Sequence, residues 1–287
     1  MSLSLRTEYW DDLVARGAFK EFLVTIHGLD LSEWESAGYW DYAYTPFSLF
    51  DGDQVVSSVC VYSLQAVVDG EPARVAQFSG VGTLPAWRRK GLNRQLTDRA
   101  LEWAGDAHRA VFLFADTDAI AFYTACGFTP IDECVEVMAA RPVASKAGAV
   151  KLDPGRDEHL DRIYRYAERR SPASDKFSVL SPKLFAFHCL YSLKDCVYEI
   201  PDLECLVCYE RVDGCLKILD ILSERMPAFE QIYPYIACDG DREIEFHFHA
   251  DKLGSENLQA RALHGNNPFV KGAFPMKNPV FPFTCRA

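Results

Sequence analysis

The sequence has no long hydrophobic run and no excess of positive charge. No segment approaches the ~18 consecutive apolar residues that cross a bilayer, and the first residues lack the features of a signal peptide. The 287 residues carry 41 acidic and 30 basic side chains, a net charge of −11. Nucleic-acid binding needs a basic face, so this balance argues against such a partner but is compatible with a cationic substrate. We expect a cytoplasmic protein that acts without membrane or nucleic acid, and the oligomeric state stays open.

Several signatures of catalytic and ligand-binding sites are also missing. The chain has neither the spacing of a P-loop nor the three glycines of a dinucleotide fingerprint, and it has no nucleophile elbow. Ten cysteines in a chain without an export signal are expected to be reduced and mostly buried. Cys205 and Cys208 would point to opposite faces of a strand. His247 and His249 would share one face, but without a third ligand nearby we favour packing, and no metal is expected.

The sequence does contain a strand, a basic loop and a helix in succession. Residues 75–81 are mostly apolar, and Pro85 cannot continue a central strand. A loop with three cations and Gly91 follows, and then a helix with apolar residues at helical spacing, namely Leu92, Leu96, Ala100 and Trp103. Free N–H groups at a helix start attract anions, and glycine permits close approach. The segment predicts a pyrophosphate-binding loop, although a solvated basic loop would have a similar composition.

A second strand and a short helix come next. Residues 110–115 are entirely apolar, as in a buried strand. Asp116 is suited to cap the helix that follows, and Gly127 sits where that helix would end. This order resembles the GNAT superfamily of acyl-CoA-dependent N-acyltransferases over residues 75–130. The family loop, Gln/Arg-x-x-Gly-x-Gly/Ala, is matched at Arg88 and Gly91, while Asn93 departs from it. The later motif, Asn-x-x-Ala-x-x-Phe-Tyr, is matched by Asp116, Ala119, Phe122 and Tyr123.

The resemblance implies a fold, a donor and a set of site residues. The fold is α/β (α+β), with a mixed, mostly antiparallel central sheet flanked by helices and followed by a second, degenerate GNAT-like lobe. Residues 1–145 would form the catalytic domain and residues 149–287 the second one. Acetyl-CoA would be the acyl donor and an amine the acceptor. Tyr123 would protonate the departing thiolate, with a packed aromatic as the alternative. The implied cofactor contacts are Val81, Gly82, Thr83, Arg88, Arg89, Lys90, Gly91, Leu92, Asn93, Asp116 and Phe122.

The second half repeats the order of the first more faintly. Its patterns predict two helices, three strands, a helix and a strand, with the last strand at residues 244–249. The link at residues 223–228 has no glycine, and Glu224 would repel phosphate. We therefore expect no second cofactor site, and an acceptor cleft completed by this lobe.

The acceptor and the general base are less defined. Plausible cleft walls are Trp34, Tyr39, Trp40, Tyr42 and Tyr44, although any one of them is more often ordinary packing. The strand before the loop offers Gln77, Ser79 and Gly80, so it supplies no carboxylate base. The alternatives are Asp116, Glu33, Glu35, water and a terminal carboxylate at Ala287, since some tandem relatives direct their C-terminus into the first active site. Two hypotheses follow: an N-acetyltransferase, and a catalytically silent acyl-CoA sensor or partner-binding pseudoenzyme.

Overall fold

The computed structural model describes residues 3–274 and 279–287. The first half of the chain contains β1 (Ser4–Thr7), α1 (Leu13–His27), α2 (Ser32–Ser36), β2 (Tyr44–Asp51), β3 (Gln54–Val68), β4 (Glu71–Thr83), α3 (Leu92–Ala104), β5 (Ala110–Phe114), α4 (Ile120–Ala125), β6 (Thr129–Pro130) and β7 (Glu133–Ala139). The second half contains β8 (Val150–Lys151), α5 (Asp157–Arg169), β9 (Phe177–Val179), α6 (Pro182–Tyr191), β10 (Val197–Ile200), β11 (Cys205–Val212), β12 (Cys215–Ser223), α7 (Phe229–Ile236), β13 (Glu243–Phe246), β14 (Gln259–Leu263) and β15 (Pro268–Gly272).

Local sequence explains most of these bounds. Gly28 ends α1 in the left-handed conformation at φ 66°, which glycine adopts without a Cβ penalty. Asp69 and Gly70, at φ 54° and 79°, form the tight turn between β3 and β4. The sequence predicts a short helix over Leu31 to Trp40 with Gly38 as its stop, but α2 ends earlier, at Ser36. The strand predicted over residues 244–249 ends at Phe246, so that prediction was too long.

Two mostly antiparallel sheets organise the molecule. The first has eight strands in the order β1-β2-β3-β4-β5-β15-β6, with β9 also paired to β3. The second has seven strands in the order β14-β7-β13-β12-β11-β10-β8. One parallel pair lies inside each sheet, β4 with β5 and β12 with β13. This arrangement confirms the predicted fold class of two mixed sheets flanked by helices.

The two lobes exchange strands. β7 belongs to residues 1–145 but lies between β14 and β13 of the second sheet, while β15 belongs to residues 149–287 but lies between β5 and β6 of the first. The sheets therefore cross the proposed boundary between residues 145 and 149, and the division into domains at 1–145 and 149–287 stays a prediction. Pairing of this kind ties the lobes together through backbone hydrogen bonds.

The helices cover both faces of the first sheet. α3 and α4 close one face over a core that includes Phe78, Leu96 and Tyr123. α1 and α2 cover the other, and Leu184 and Phe281 of the second half join the same core. The lobes thus share one apolar core rather than meeting at a polar surface. No helix in residues 3–274 or 279–287 is long and apolar enough to cross a membrane.

Candidate active site

The first sheet opens beside the parallel pair of strands. β4 pairs with β5 only from Val75 to Gln77, and beyond that point the two strands separate. On the other side, the register with β3 runs from Ser79 to Gly82 across a bulge, and it leaves Gly80 and Val81 without a paired residue. The backbone of these two residues therefore faces an opening in the sheet, since bulged residues leave the ladder.

Two glycines in this opening are required by their surroundings. Gly80 has φ 54°, and a Cβ there would lie 3.2 Å from the Tyr44 hydroxyl and 3.1 Å from Cys60 Sγ. A Cβ on Gly82 would lie 2.7 Å from Ile26 Cγ2. Helix α1 thus packs directly on the β4 backbone at the place where the strands part.

The basic loop leads from β4 into α3 as predicted. Arg89 and Gly91 both have positive φ, 62° and 77°. Nothing lies within 4 Å of a Cβ built on Gly91, so its conformation rather than crowding requires glycine. No side chain caps α3, which leaves the N–H groups of its first turn free for a ligand. Arg88 donates from Nε to the Thr83 carbonyl at 3.1 Å, and the Lys90 ammonium lies 4.4 Å from the Trp87 ring centroid.

Asn93 anchors the start of α3 to the sheet. Its Oδ1 accepts from the Ser57 hydroxyl at 2.7 Å and from the Thr83 hydroxyl at 3.0 Å, and the two hydroxyls lie 2.8 Å apart. The residue that departs from the family loop therefore carries a specific contact here. A glycine or alanine would leave the two hydroxyls without this acceptor.

Helix α4 lies beside α3 on the same face of the sheet. Arg94 of α3 donates to the Ala125 carbonyl at 2.8 Å, which holds the two helices together. Tyr123 is buried against Phe128 and Phe269, and burial raises its pKa, with the Cys126 thiol and the Asp116 carboxylate adding to the shift. Asp116 is exposed and precedes a short 3-10 turn without a side-chain cap, so the expected capping bond is absent. Phe122 is half-buried beside Tyr123.

An apolar pocket lies on the opposite face of the sheet, between the lobes. Its lining residues are Leu29, Leu31, Trp34, Tyr44, Tyr62, Leu184, Phe187 and Ala287. Two of the predicted wall aromatics, Trp34 and Tyr44, are among them. The others pack elsewhere: Tyr39 stacks on Tyr164 at 4.9 Å, Trp40 contacts Phe19, and Tyr42 is mostly exposed. Tyr62 was missed because it lies inside a long strand pattern.

Ala287, considered for its terminal carboxylate, lines this pocket, whereas the candidate glutamates do not. Glu35 forms ion pairs with Arg16 and Lys20, and Glu33 lies on the surface, 3.7 Å from the Lys194 ammonium. His27, at the end of α1, is closer to the opening. Burial lowers its pKa, and the Asp116 carboxylate and Gly80 backbone offset part of that effect. The sequence signal for His27 was only its place at a predicted helix end.

Residues 36–131 match the family model described as an acetyltransferase (GNAT) domain. The chain carries a GNAT domain. The matched region includes the opened strands, the basic loop and α4.

Solved structures share the fold over nearly the whole chain. A probable N-acyltransferase of unknown function from Enterococcus faecalis V583 is 11% identical, with a TM-score of 0.63 over 94% of this chain and 72% of that one. Eis1 from Mycobacterium abscessus is 16% identical, with a TM-score of 0.61 over 94% and 73%. A GCN5-related N-acetyltransferase from Kribbella flavida is 16% identical, with a TM-score of 0.56 over 93% and 71%. No curated protein matches the chain. At these identities the likeness establishes the fold alone.

The second lobe lies outside the GNAT match. Its sheet opens beside its own parallel pair of strands, but here a segment of the chain fills the opening. β12 pairs with β13 only from Cys215 to Ile218. Residues 279–286 enter the gap beyond: Phe283 donates to the His247 carbonyl at 3.1 Å, and the Thr284 hydroxyl donates to Asp220 at 2.5 Å. At the start of α7, Gln231 Oε1 accepts the Ala228 N–H at 3.1 Å, whereas α3 has no such cap.

The remaining candidate metal ligands have other partners. His249 Nε2 accepts the Val280 N–H at 3.1 Å, so Nδ1 carries the proton and donates to Glu136 at 2.8 Å. Cys205 and Cys208 belong to different cores, on opposite faces of β11. Cys215, Glu243 and Glu245 lie close enough together to hold an ion. The guanidinium of Arg261 forms ion pairs with both glutamates and already neutralises much of their charge.

Proposed function

We propose that the protein is an N-acetyltransferase that moves an acetyl group from acetyl-CoA to an amine of a small molecule or peptide. The observation that carries this proposal is the opening between β4 and β5. There the unpaired backbone of Gly80 and Val81 lies on the same strand that leads, through the basic loop, into the uncapped start of α3.

The loop would bind the pyrophosphate of the donor. Free N–H groups at the start of α3 and the positive end of its dipole favour an anion. Arg88, Arg89 and Lys90 are exposed and add three positive charges to an otherwise acidic protein. Val81, Gly82 and Thr83 would bind the pantetheine arm along the β4 backbone, with Leu92 and Phe122 on its other side.

Bound acetyl-CoA supplies the acetyl thioester, and the chain supplies the proton transfers. Tyr123 would donate its proton to the thiolate as the carbon–sulfur bond breaks. Burial keeps this hydroxyl protonated across the physiological pH range, as a general acid requires. His27 would take the proton of the attacking amine, because its lowered pKa leaves the imidazole neutral near pH 7. Asp116 would stabilise the imidazolium that forms. A terminal carboxylate at Ala287 stays an alternative prediction for the general base.

A silent acyl-CoA sensor is the second candidate. It is favoured by Gln77, Ser79 and Gly80, which leave β4 without a carboxylate at its opened end. In that case the donor site would bind acyl-CoA, and no amine would be modified.

The choice between an acetyltransferase and a silent sensor is tested with a panel of acyl-CoA donors and amines. Thiol release is measured, and the amine is analysed by mass spectrometry. The melting temperature with and without each acyl-CoA is measured in parallel, since a ligand of the native state raises it. Amine-dependent thiol release with an acetylated product supports the enzyme. A melting-temperature rise without thiol release across the panel supports the sensor. Neither response to any acyl-CoA would reject the donor site itself.

A further inference from the structure

We propose that helix α1 restricts the donor to acyl-CoAs with a short acyl chain, and that Ile26 is the residue that sets this limit. The inference rests on the proposed acetyl transfer and names the donor class of that site. It is carried by the contact between α1 and the opened end of β4, where two glycines leave the strand without side chains.

The wall on this face of the opening comes from α1 and not from β4 itself. A Cβ on Gly80 would lie 3.2 Å from Leu23 Cδ2. A Cβ on Gly82 would lie 2.7 Å from Ile26 Cγ2 and 3.3 Å from Phe22 Cζ. The side chains of α1 therefore occupy the space that side chains of β4 would otherwise take, and they press directly on the strand where it leaves the ladder.

The acyl chain of a bound donor would meet this wall. Val81 packs with the core under α3 and α4, whereas Gly80 and Gly82 face α1, so the opening lies between the two faces of the sheet. In the proposed binding mode the pantetheine arm arrives from the side of α3. The thioester carbon is trigonal, so a chain attached to it on the side away from the sulfur points through the opening towards α1.

Little space is available beyond the wall. Leu23 is fully buried, and the half-buried Ile26 packs on the same core. The pocket between the lobes, which Tyr44 lines on this face of the sheet, has a volume of only about 20 Å³, close to what one water molecule needs. A longer acyl chain would have to displace packed side chains, and such overpacking is unfavourable.

The experiment compares acetyl-CoA with butyryl-CoA, using the amine that gives the most thiol release, for the full chain and two variants. Ile26→Ala removes the Cγ2 atom that lies against Gly82. Val24→Ala shortens a β-branched side chain of the same helix that is 49% exposed. Surplus methylenes in a hydrophobic pocket change kcat/KM by about 10–200-fold each, so wild type and Val24→Ala should prefer acetyl-CoA by at least about tenfold. Ile26→Ala should shift that ratio towards butyryl-CoA by about tenfold or more.

The outcomes separate the inference from the proposed function. Butyryl-CoA used as well as acetyl-CoA by wild type overturns the inference and leaves the acyl transfer standing. An unchanged ratio in folded Ile26→Ala, or the same shift in Val24→Ala, overturns the role of Ile26. If Ile26→Ala fails to fold, judged by its melting curve, Phe22→Leu removes the Cζ atom that also reaches Gly82, and the same shift is required of it.

The rise in melting temperature with each donor is a second readout that needs no turnover. No thiol release with any donor and amine rejects the proposed function, and the melting temperatures then decide the inference. A smaller rise with butyryl-CoA than with acetyl-CoA in wild type, made equal by Ile26→Ala, supports it, and equal rises in wild type overturn it. No rise with either donor rejects the donor site and the inference with it.

Discussion

The backbone N–H of Ala287 donates to Oε1 of Gln77 at 2.9 Å, across 210 residues of sequence. Gln77 is the last residue of β4 that pairs with β5, so the contact lies where the first sheet opens. The preceding residues of the C-terminal segment fill the corresponding opening of the second sheet. One segment thus fills the opening of the second sheet and also reaches the apolar pocket between the lobes.

Replacing Ala287 with proline should lower amine turnover and spare donor binding. Proline has no N–H to donate, so the Gln77 contact is lost while Thr284 keeps its bond to Asp220 and Arg286 its ion pair with Glu133. Turnover with the best amine, acetyl-CoA affinity and melting temperature are measured on one protein. Ala287→Ser keeps the donor and is the matched control. Equal turnover in the two variants would contradict a role for this contact.

Deleting residues 284–287 should affect the stability of the protein more than the sequence indicated. The sequence predicts that the second lobe completes the acceptor cleft, with a terminal carboxylate at Ala287 as one candidate base. In the structure these residues form no strand and are only partly at the surface: Cys285 is buried and Thr284 donates to the buried Asp220, whereas Ala287 is exposed. We expect a lower melting temperature together with lower turnover. A stable, fully active truncation would exclude the proposed contribution to the cleft.

Reversing the charge of the loop should abolish the response to acetyl-CoA. In Arg88→Glu/Arg89→Glu, two carboxylates face the site proposed for pyrophosphate, and the melting-temperature rise with acetyl-CoA should disappear. Arg165→Glu/Arg169→Glu makes the same charge change on α5 of the second lobe and should keep the full rise. If the loop variant still responds normally, the donor site lies elsewhere.

Removing the Tyr123 hydroxyl should act on turnover rather than on donor binding. A general acid contributes in the transition state, so Tyr123→Phe should lower kcat by about 10²–10⁴-fold with little change in KM for acetyl-CoA. Because burial raises the pKa of Tyr123, wild type should show no alkaline loss of activity from this group at pH 8–9. An unchanged kcat, where chemistry limits the rate, excludes the role of acid.

The Asn93 contacts should stabilise the start of α3. Asn93→Ala removes the acceptor shared by Ser57 and Thr83 and should cost about 1–3 kcal/mol in the free energy of unfolding. The same substitution in a Ser57→Ala/Thr83→Val background should cost much less, because the hydroxyls that lost their partner are gone. Denaturant unfolding of the four proteins gives the coupling energy. Simple additivity would mean that the network contributes nothing beyond its separate members.

The sequence was informative wherever a short pattern determines a short structure. The basic loop with Gly91 correctly predicted the start of α3, because the positive φ of a glycine and the free end of a helix depend mainly on neighbouring residues. The exchange of β7 and β15 between the sheets was not predictable, since each is an ordinary apolar strand with partners far away in sequence. The bulge at Gly80 and the Ala287–Gln77 contact depend on register and packing over the whole chain.

His188 should make stability fall in mild acid. Its side chain is buried in α6, and burial lowers its pKa to about 4, although the Arg286 backbone and the Asp220 carboxylate offset part of the shift. As the pH falls below 6.5, the ordinary pKa, the unfolded chain binds a proton that the folded protein does not. The stability contributed by the neutral ring is therefore complete above pH 6.5 and is lost towards pH 4, by about 3 kcal/mol in all. His188→Leu should unfold with a smaller drop between pH 7 and pH 5 than wild type. The exposed His264, changed to leucine, should leave the wild-type drop in place. A His188→Leu protein whose stability follows the wild-type curve over this range would place the acid sensitivity in other groups.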